Sequence, residues 1–223
     1  MAWPKGPHSP HTGAASVAVV VAHPDDETLW AGGLLLGHPE WSIFVVSLCR
    51  GDDPDRSVRF HQALLNLGAD GAMGTLDDGV DQSPLSAQCV QDAILALLPG
   101  TDFDLLLTHA PQGEYTWHRR HGEVSLAMRD LWRDGQLKTK EFWQFAYEDG
   151  GGAYVPRAQA APSLQLPLTG PIWAEKLRII TDIYGFSETS WECRTTPRTE
   201  AFHCYRDPGT LIRGMDRGQE AKP

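Results

Sequence analysis

The stretch from Val17 to Leu36, VAVVVAHPDDETLWAGGLLL, decides how the rest of the chain is read. Val17 to Ala22 are aliphatic and largely β-branched, the run expected of a strand buried on both faces of a parallel sheet. A polar cluster of His23, Asp25, Asp26 and Glu27 follows at once, and then helical spacing through Leu29, Trp30 and Leu34 to Leu36. Asp25 to Glu27 are placed to supply the N-cap and first-turn acids of that helix. The cluster therefore sits at the carboxyl end of a strand, where open α/β sheets bind ligands.

His23 and Asp26 stand three apart across the strand-to-helix turn, a spacing that lets an imidazole and a carboxylate converge on one ion while Asp25 points elsewhere. A metal such as zinc accepts both donor types, and a catalytic site leaves one position for water. Two ligands do not complete a site. On these residues alone a second reading stays open, in which Asp25 and Asp26 cap the helix and His23 is a loop histidine.

At 223 residues the chain is long enough for one α/β domain with a substantial core. Its 19 Lys and Arg against 29 Asp and Glu give a net charge of -10, which opposes binding along a nucleic-acid backbone. Cys49, Cys89, Cys193 and Cys204 have no C-x-x-C spacing, the usage of buried thiols in a reducing compartment, and the cytoplasm is expected. The first apolar run stops at His23, too short to span a bilayer, so neither signal peptide nor anchor is expected.

Residues 1–15, rich in Pro and Gly and carrying His8 and His11, read as a loose arm. Trp41 to Leu48 reads as a second buried strand, Ser57 to Leu67 as a helix stopped by Gly68, Gly71 to Leu76 as a weak strand, and Ser86 to Leu98 as a helix. Strand Phe103 to Thr108 leads into a second polar stretch, HAPQGEYTWHRRHGE from His109 to Glu123, followed by a helix with Val124, Ala127, Met128, Leu131 and Trp132 at core spacing. Glu141 to Tyr147 is a candidate strand, 150–171 an irregular lid or surface wrap, Ile172 to Tyr184 a helix closed by Gly185, Glu200 to Arg206 a short last strand, and 207–223 a polar tail. The alternation predicts an α/β fold, a Rossmann-like three-layer sandwich around a mostly parallel sheet. No G-x-G-x-x-G follows the first strand, which disfavours a dinucleotide site.

Over residues 16 to 134 the sequence resembles the LmbE-like and N-acetylglucosaminylphosphatidylinositol de-N-acetylases, through AHPDDE at Ala22–Glu27 and His-x-x-His at His118–His121. The resemblance implies one zinc or other divalent ion per chain, held by His23, Asp26 and His121. It implies a general base at Asp25, and His118 beside the reacting carbonyl, able to donate as an imidazolium. The family's arginine for the polar part of the substrate falls at Arg56, with Arg59 standing where an acid is usual. Asp78, in LDDG, matches a residue that meets sugar hydroxyls, with a turn acid as the alternative. Glu27 would orient a ligand rather than bind metal, and Arg119 and Arg120 would take surface roles.

The implied activity is removal of acetyl from an N-acetylglucosamine-type amino sugar or its conjugate. The alternatives are an amidase on a thiol or antibiotic conjugate, and a non-catalytic carbohydrate-binding protein of the same fold. The expected partner is a small-molecule amino-sugar conjugate, and a homo-oligomer is compatible with the sequence. Trp143, Tyr147 and Trp173 are left between core packing and stacking on a sugar.

Overall fold

The computed structural model describes residues 14–115 and 118–211. Most of the expected arm, with His8 and His11, and the chain beyond 211 lie outside them. The first part alternates strictly: β1 (Ser16–Val21), α1 (Asp26–Leu36), β2 (Ser42–Cys49), α2 (Pro54–Leu67), β3 (Ala69–Leu76), α3 (Ala87–Leu97), β4 (Asp102–Thr108), α4 (Arg119–Arg133) and β5 (Lys138–Phe145). Then come β6 (Tyr147–Glu148), β7 (Arg157–Ala158), β8 (Leu164–Pro167), α5 (Gly170–Arg178), a π-helical turn (Ile179–Ile183), α6 (Trp191–Thr195) and β9 (Thr199–Tyr205).

Seven strands form one sheet in the order β3-β2-β1-β4-β5-β9-β8. The first five are parallel, while β9 runs antiparallel to β5 and to β8. Alternation along β1 divides the core into two layers. Val17, Val19 and Val21 pack with Trp30, Phe60, Leu64, Ile179 and Ile180, whereas Ala18, Val20 and Ala22 pack with Val90, Ile94, Met128 and Leu131. Helices thus cover both faces, the three-layer α/β sandwich expected from the alternation. Since β1 lies between β2 and β4, the chain leaves β1 toward one half of the sheet and later returns to its other side. The loops after β1 and β4 therefore emerge side by side, at the switch point where such sheets form ligand clefts.

Several boundaries move for identifiable reasons. α2 starts at Pro54 rather than Ser57, because Asp53 accepts the Asp55 and Arg56 N–H groups and Pro54 is suited to the first turn. The span 150–171, read as irregular, contributes the edge strand β8, whose four residues ending in Pro167 are too few to show a period. The helix expected over Ile172–Tyr184 begins at Gly170 and widens into a π turn at Ile179. The expected polar tail, 207–223, contributes a core residue, Leu211, which is fully buried. Trp143 and Tyr147 are core residues, as packing required, and Trp173 lies under the Arg198 guanidinium.

α1 is held from the far side of the sequence. Both carboxylate oxygens of Glu200, on β9, accept amide bonds from Gly33 and Leu34 at 2.7 Å, and Oε1 also meets Lys176 Nζ at 2.6 Å. All of these groups are buried, and a Cβ at Gly33 would meet the Leu168 methyls, which would have to turn aside, and would press on Glu200 Oε1 at 3.0 Å. Breaking a buried pair from one side strands a charge. Lys176→Met should cost about 3–5 kcal/mol of stability by urea denaturation; a loss below about 1 kcal/mol, the range of an exposed pair, would show that the two amides alone satisfy Glu200.

Candidate metal centre

Asp26 opens α1, and its two oxygens are separately committed. Oδ1 accepts the Trp30 indole N–H at 3.0 Å, while Oδ2 accepts the His23 backbone N–H at 2.9 Å and turns toward the histidines. Oδ2 lies 3.3 Å from His23 Nδ1 and 3.4 Å from His121 Nε2, and those two nitrogens are 3.3 Å apart. The three donors make a nearly equilateral triangle. Donors at about 2.0–2.1 Å from a tetrahedral ion stand about 3.3–3.4 Å from one another, so these side chains fit such an ion without rearrangement.

A carboxylate stands behind each imidazole of the triangle. His23 Nε2 meets Asp78 Oδ1 at 3.1 Å, and His121 Nδ1 meets Glu114 Oε2 at 2.7 Å. Each far nitrogen donates its N–H to the carboxylate, so that when the ring gives up its second proton the lone pair is left on the nitrogen that faces the triangle. Asp78 therefore acts on His23 and also lines the cavity.

Glu114 also receives His109 Nδ1 at 2.9 Å. His109 Nε2 accepts the Ala22 N–H at 3.0 Å, completing the backbone pairing where β1 runs past β4, and its ring stacks on His121 at 3.8 Å. That bond uses the lone pair which would otherwise face Asp26, 3.5 Å away. His109 and Glu114 form the support that sequence reasoning missed. Their separation of five within a loop matches neither the helix nor the strand period, and the cluster of three histidines was the only signal.

Asp25 has φ 116° and ψ -28°, a region that costs a non-glycine residue on the order of 1–3 kcal/mol. Its side chain makes no capping bond to the helix, which removes the capping reading and leaves the carboxylate facing the cavity. The strained peptide is pinned by Glu27, which is fully buried and accepts the Asp25 N–H at 3.0 Å, Thr28 Oγ1 at 2.6 Å and Tyr184 Oη at 2.7 Å. Arg56 Nη1 lies 3.8 Å from Asp25 Oδ2 and lines the cavity. Arg59 does not line it; it bonds Asp55 at 2.7 Å and the Ile183 carbonyl at 3.1 Å. Arg120, expected at the surface, is buried, and its guanidinium bonds Glu123, the Ser83 carbonyl and the Asp77 carbonyl.

His118 caps α4, with its ring 4.6 Å from that of His23 and 4.7 Å from that of His121. Its Nε2 accepts the Gln82 amide at 3.2 Å, and neither nitrogen has a carboxylate partner. Burial, with His121 and His23 alongside, lowers its pKa to about 4. The ring is therefore neutral at pH 7, in place of the imidazolium expected. The cavity of about 190 Å³ beside the triangle is lined by Asp25, Arg50, Arg56, Asp78, Tyr115, His118 and Trp191, among others.

The two facing rings carry the opposite shift. Burial opposes their charge, but Asp26 and Asp78 raise His23 to about 9, and Asp26 and Glu114 raise His121 to about 10. Asp26, Asp78 and Glu114 are all held below the usual carboxylate range. Without an ion, then, two protons sit on the rings at neutral pH. A divalent cation replacing both leaves the charge of the cluster unchanged.

No protein-family model and no curated protein matches the chain. Solved structures do. An N,N'-diacetylchitobiose deacetylase from Pyrococcus horikoshii matches with a TM-score of 0.65 at 16% identity, over 89% of this chain and 86% of that one. A 4-carboxy-2-hydroxymuconate hydratase from Pseudomonas putida matches with a TM-score of 0.60 at 17% identity, over 85% and 95%. The zinc-inhibited form of a teicoplanin deacetylase matches at 0.54 and 12% identity, over 85% and 96%. At these identities the likeness establishes a shared fold, the fold that the two motifs implied.

Binding of a divalent ion should release about two protons at neutral pH, because His23 and His121 must both give theirs up. Apparent affinity should therefore rise with pH, with the weight of two protons below about 9 and of one up to about 10. Calorimetry in two buffers of different ionisation enthalpy measures the protons directly, and release of none would mean that the ion binds elsewhere.

Proposed function

We propose that this chain, which resembles the LmbE-like deacetylases in its motifs and shares the fold of solved deacetylases, is a metal-dependent N-deacetylase of amino-sugar conjugates. The observation that supports this best is the triangle of His23 Nδ1, Asp26 Oδ2 and His121 Nε2, with sides of 3.3–3.4 Å and a carboxylate behind each ring. The fold does not choose the reaction, since a hydratase shares it with deacetylases. The donor set supports amide hydrolysis because an amide needs an activated water, a polarised carbonyl and a proton for the leaving amine.

His23, Asp26 and His121 would hold the ion, zinc or another divalent metal. Bound there, the ion supplies Lewis acidity toward the carbonyl and lowers the pKa of water. Asp25 takes the proton of the attacking water and passes it to the amine nitrogen as the C–N bond breaks. Burial, Asp26 and Glu27 raise its pKa, which makes the carboxylate a better base and, once protonated, leaves it able to serve as the acid. Arg56, 3.8 Å away, keeps the carboxylate from drifting off and offers N–H groups to the substrate's polar rim. His118 is neutral and can still donate a hydrogen bond from Nδ1, which has no partner, toward the carbonyl oxygen.

The deciding experiment is release of free amine from a panel of N-acetyl amino-sugar conjugates, with metal measured on the same sample. Turnover by protein from which metal has been stripped would sink the reading. Asp25→Asn should keep the metal and lose about a hundred- to ten-thousandfold in kcat, because the amide matches the carboxylate in shape but cannot take a proton. Near-normal turnover in that variant would assign the base elsewhere. His121→Ala should lose the metal and His118→Ala should retain it while kcat falls; the reverse metal contents would exchange the two roles.

A further inference from the structure

The segment between β3 and α3 carries a side chain that reaches the site and that no motif marks. Arg120, buried in the first turn of α4, donates to the carbonyls of Asp77 and Ser83, and Glu123, three residues on, accepts the Leu85 N–H at 3.0 Å. The segment is thereby tied at both ends to the helix that His118 caps. Between those ties Gln82 has φ 40°, in the left-handed region that costs a non-glycine residue, and its backbone N–H closes a turn on the Gly79 carbonyl at 2.9 Å. Its side-chain Nε2 stands 3.2 Å from Asp78 Oδ1 and 3.2 Å from His118 Nε2.

Together the two contacts fix where a proton sits. Asp78 Oδ1 already accepts from His23 Nε2, and a carboxylate has only lone pairs to offer, so the Gln82 atom beside it has to be the NH2 group. The same NH2 group turns its second hydrogen to His118 Nε2, which has to answer with its lone pair. A neutral His118 therefore carries its hydrogen on Nδ1, the buried nitrogen that has no partner. In the other tautomer two N–H groups would point at each other, and the Nδ1 lone pair would be stranded as well. We infer that Gln82 is a positioning residue: by engaging the lone pair of His118 Nε2 it keeps a hydrogen on Nδ1, where it serves as the donor to the substrate's carbonyl oxygen. The catalytic half of this proposal rests on the deacetylase reading, while the tautomer stands on the geometry alone. Asp78 thus sets the polarity of two histidines, directly for His23 and through Gln82 for His118.

Nitrogen-15 spectra of histidine-labelled, zinc-loaded protein distinguish a protonated ring nitrogen from a bare one, and His118 is assigned by the signals lost in His118→Ala. The wild type should show the hydrogen on Nδ1. Gln82→Met keeps the length of the side chain and removes the donor, so the hydrogen should spread over both nitrogens. In that variant kcat for amine release should fall about tenfold, with KM changed less than about twofold and zinc retained. Gln82→Glu reverses the polarity. The oxygen that replaces the amide nitrogen holds one hydrogen at most, which Asp78 takes, so His118 meets a lone pair. Where the ring is neutral its hydrogen should move to Nε2, and kcat should fall about a hundredfold, the cost of deleting an oxyanion donor. A wild-type ring with its hydrogen on Nε2, or spectra that neither substitution moves, overturns the tautomer assignment. A tautomer that moves in both variants while kcat stays within about twofold overturns the positioning role. Wild-type protein that releases no amine from any conjugate defeats the deacetylase reading, and the positioning role with it, while the spectra still decide the tautomer.

Discussion

Charge that has lost its water is the constraint on which this structure depends. Asp26, Glu27, His109, Glu114 and His121 are all buried at the carboxyl end of the sheet, where an uncompensated charge would cost several kcal/mol. The fold answers each with a specific partner: indole and backbone N–H for Asp26, a tyrosine and a threonine for Glu27, two imidazoles for Glu114. Removing water in this way also fixes direction. With Asp26 Oδ1 and the far nitrogens of His23 and His121 engaged elsewhere, one donor atom of each side chain faces the other two, and a cation can take the place of the two protons held among them.

The parallel part of the fold was legible because the physics that forms it is local and repetitive. Val17–Ala22, Trp41–Leu48 and Phe103–Thr108 read as mainly apolar runs, interrupted at Ser42, Ser47 and Asp104, while Ser86 and Gly68 mark helix ends; the Asp53-Pro54 start of α2 lies before the helix expected there. The antiparallel edge was harder. β8 is four residues long and gains its stability from β9, more than thirty positions later, so no window around it carries the signal.

The same distinction governs the site. His23, Asp26, His118 and His121 sit in two short motifs and lie together, as the resemblance implied. His109 and Glu114 form the support behind them, and their function appears only when β4 is laid beside β1. Whether His118 carries a proton was equally out of reach, because its shift comes from burial and from two other rings that belong to the folded state. What turns Arg59 away from the cavity, its bonds to Asp55 and to the Ile183 carbonyl on the π turn, belongs in part to a distant segment that its neighbours in sequence do not announce.

Every recognisable motif residue lies within 16–134, yet α1, the helix that begins with Asp26, is gripped by Glu200 on β9, itself paired with Lys176 on α5, and, through the Trp30 carbonyl, by the Tyr147 hydroxyl at 3.2 Å. Tyr184 reaches from the π turn to Glu27, directly beneath the strained Asp25 peptide. The part of the chain that bears no signature is thus the clamp on the part that does. A shortened protein cut to its motif-bearing segment would keep each of the three donors and lose what holds them in place. Protein engineering that seeks a minimal catalyst from this scaffold has to carry the last third of the sequence along, or rebuild its grip on that one helix by other means.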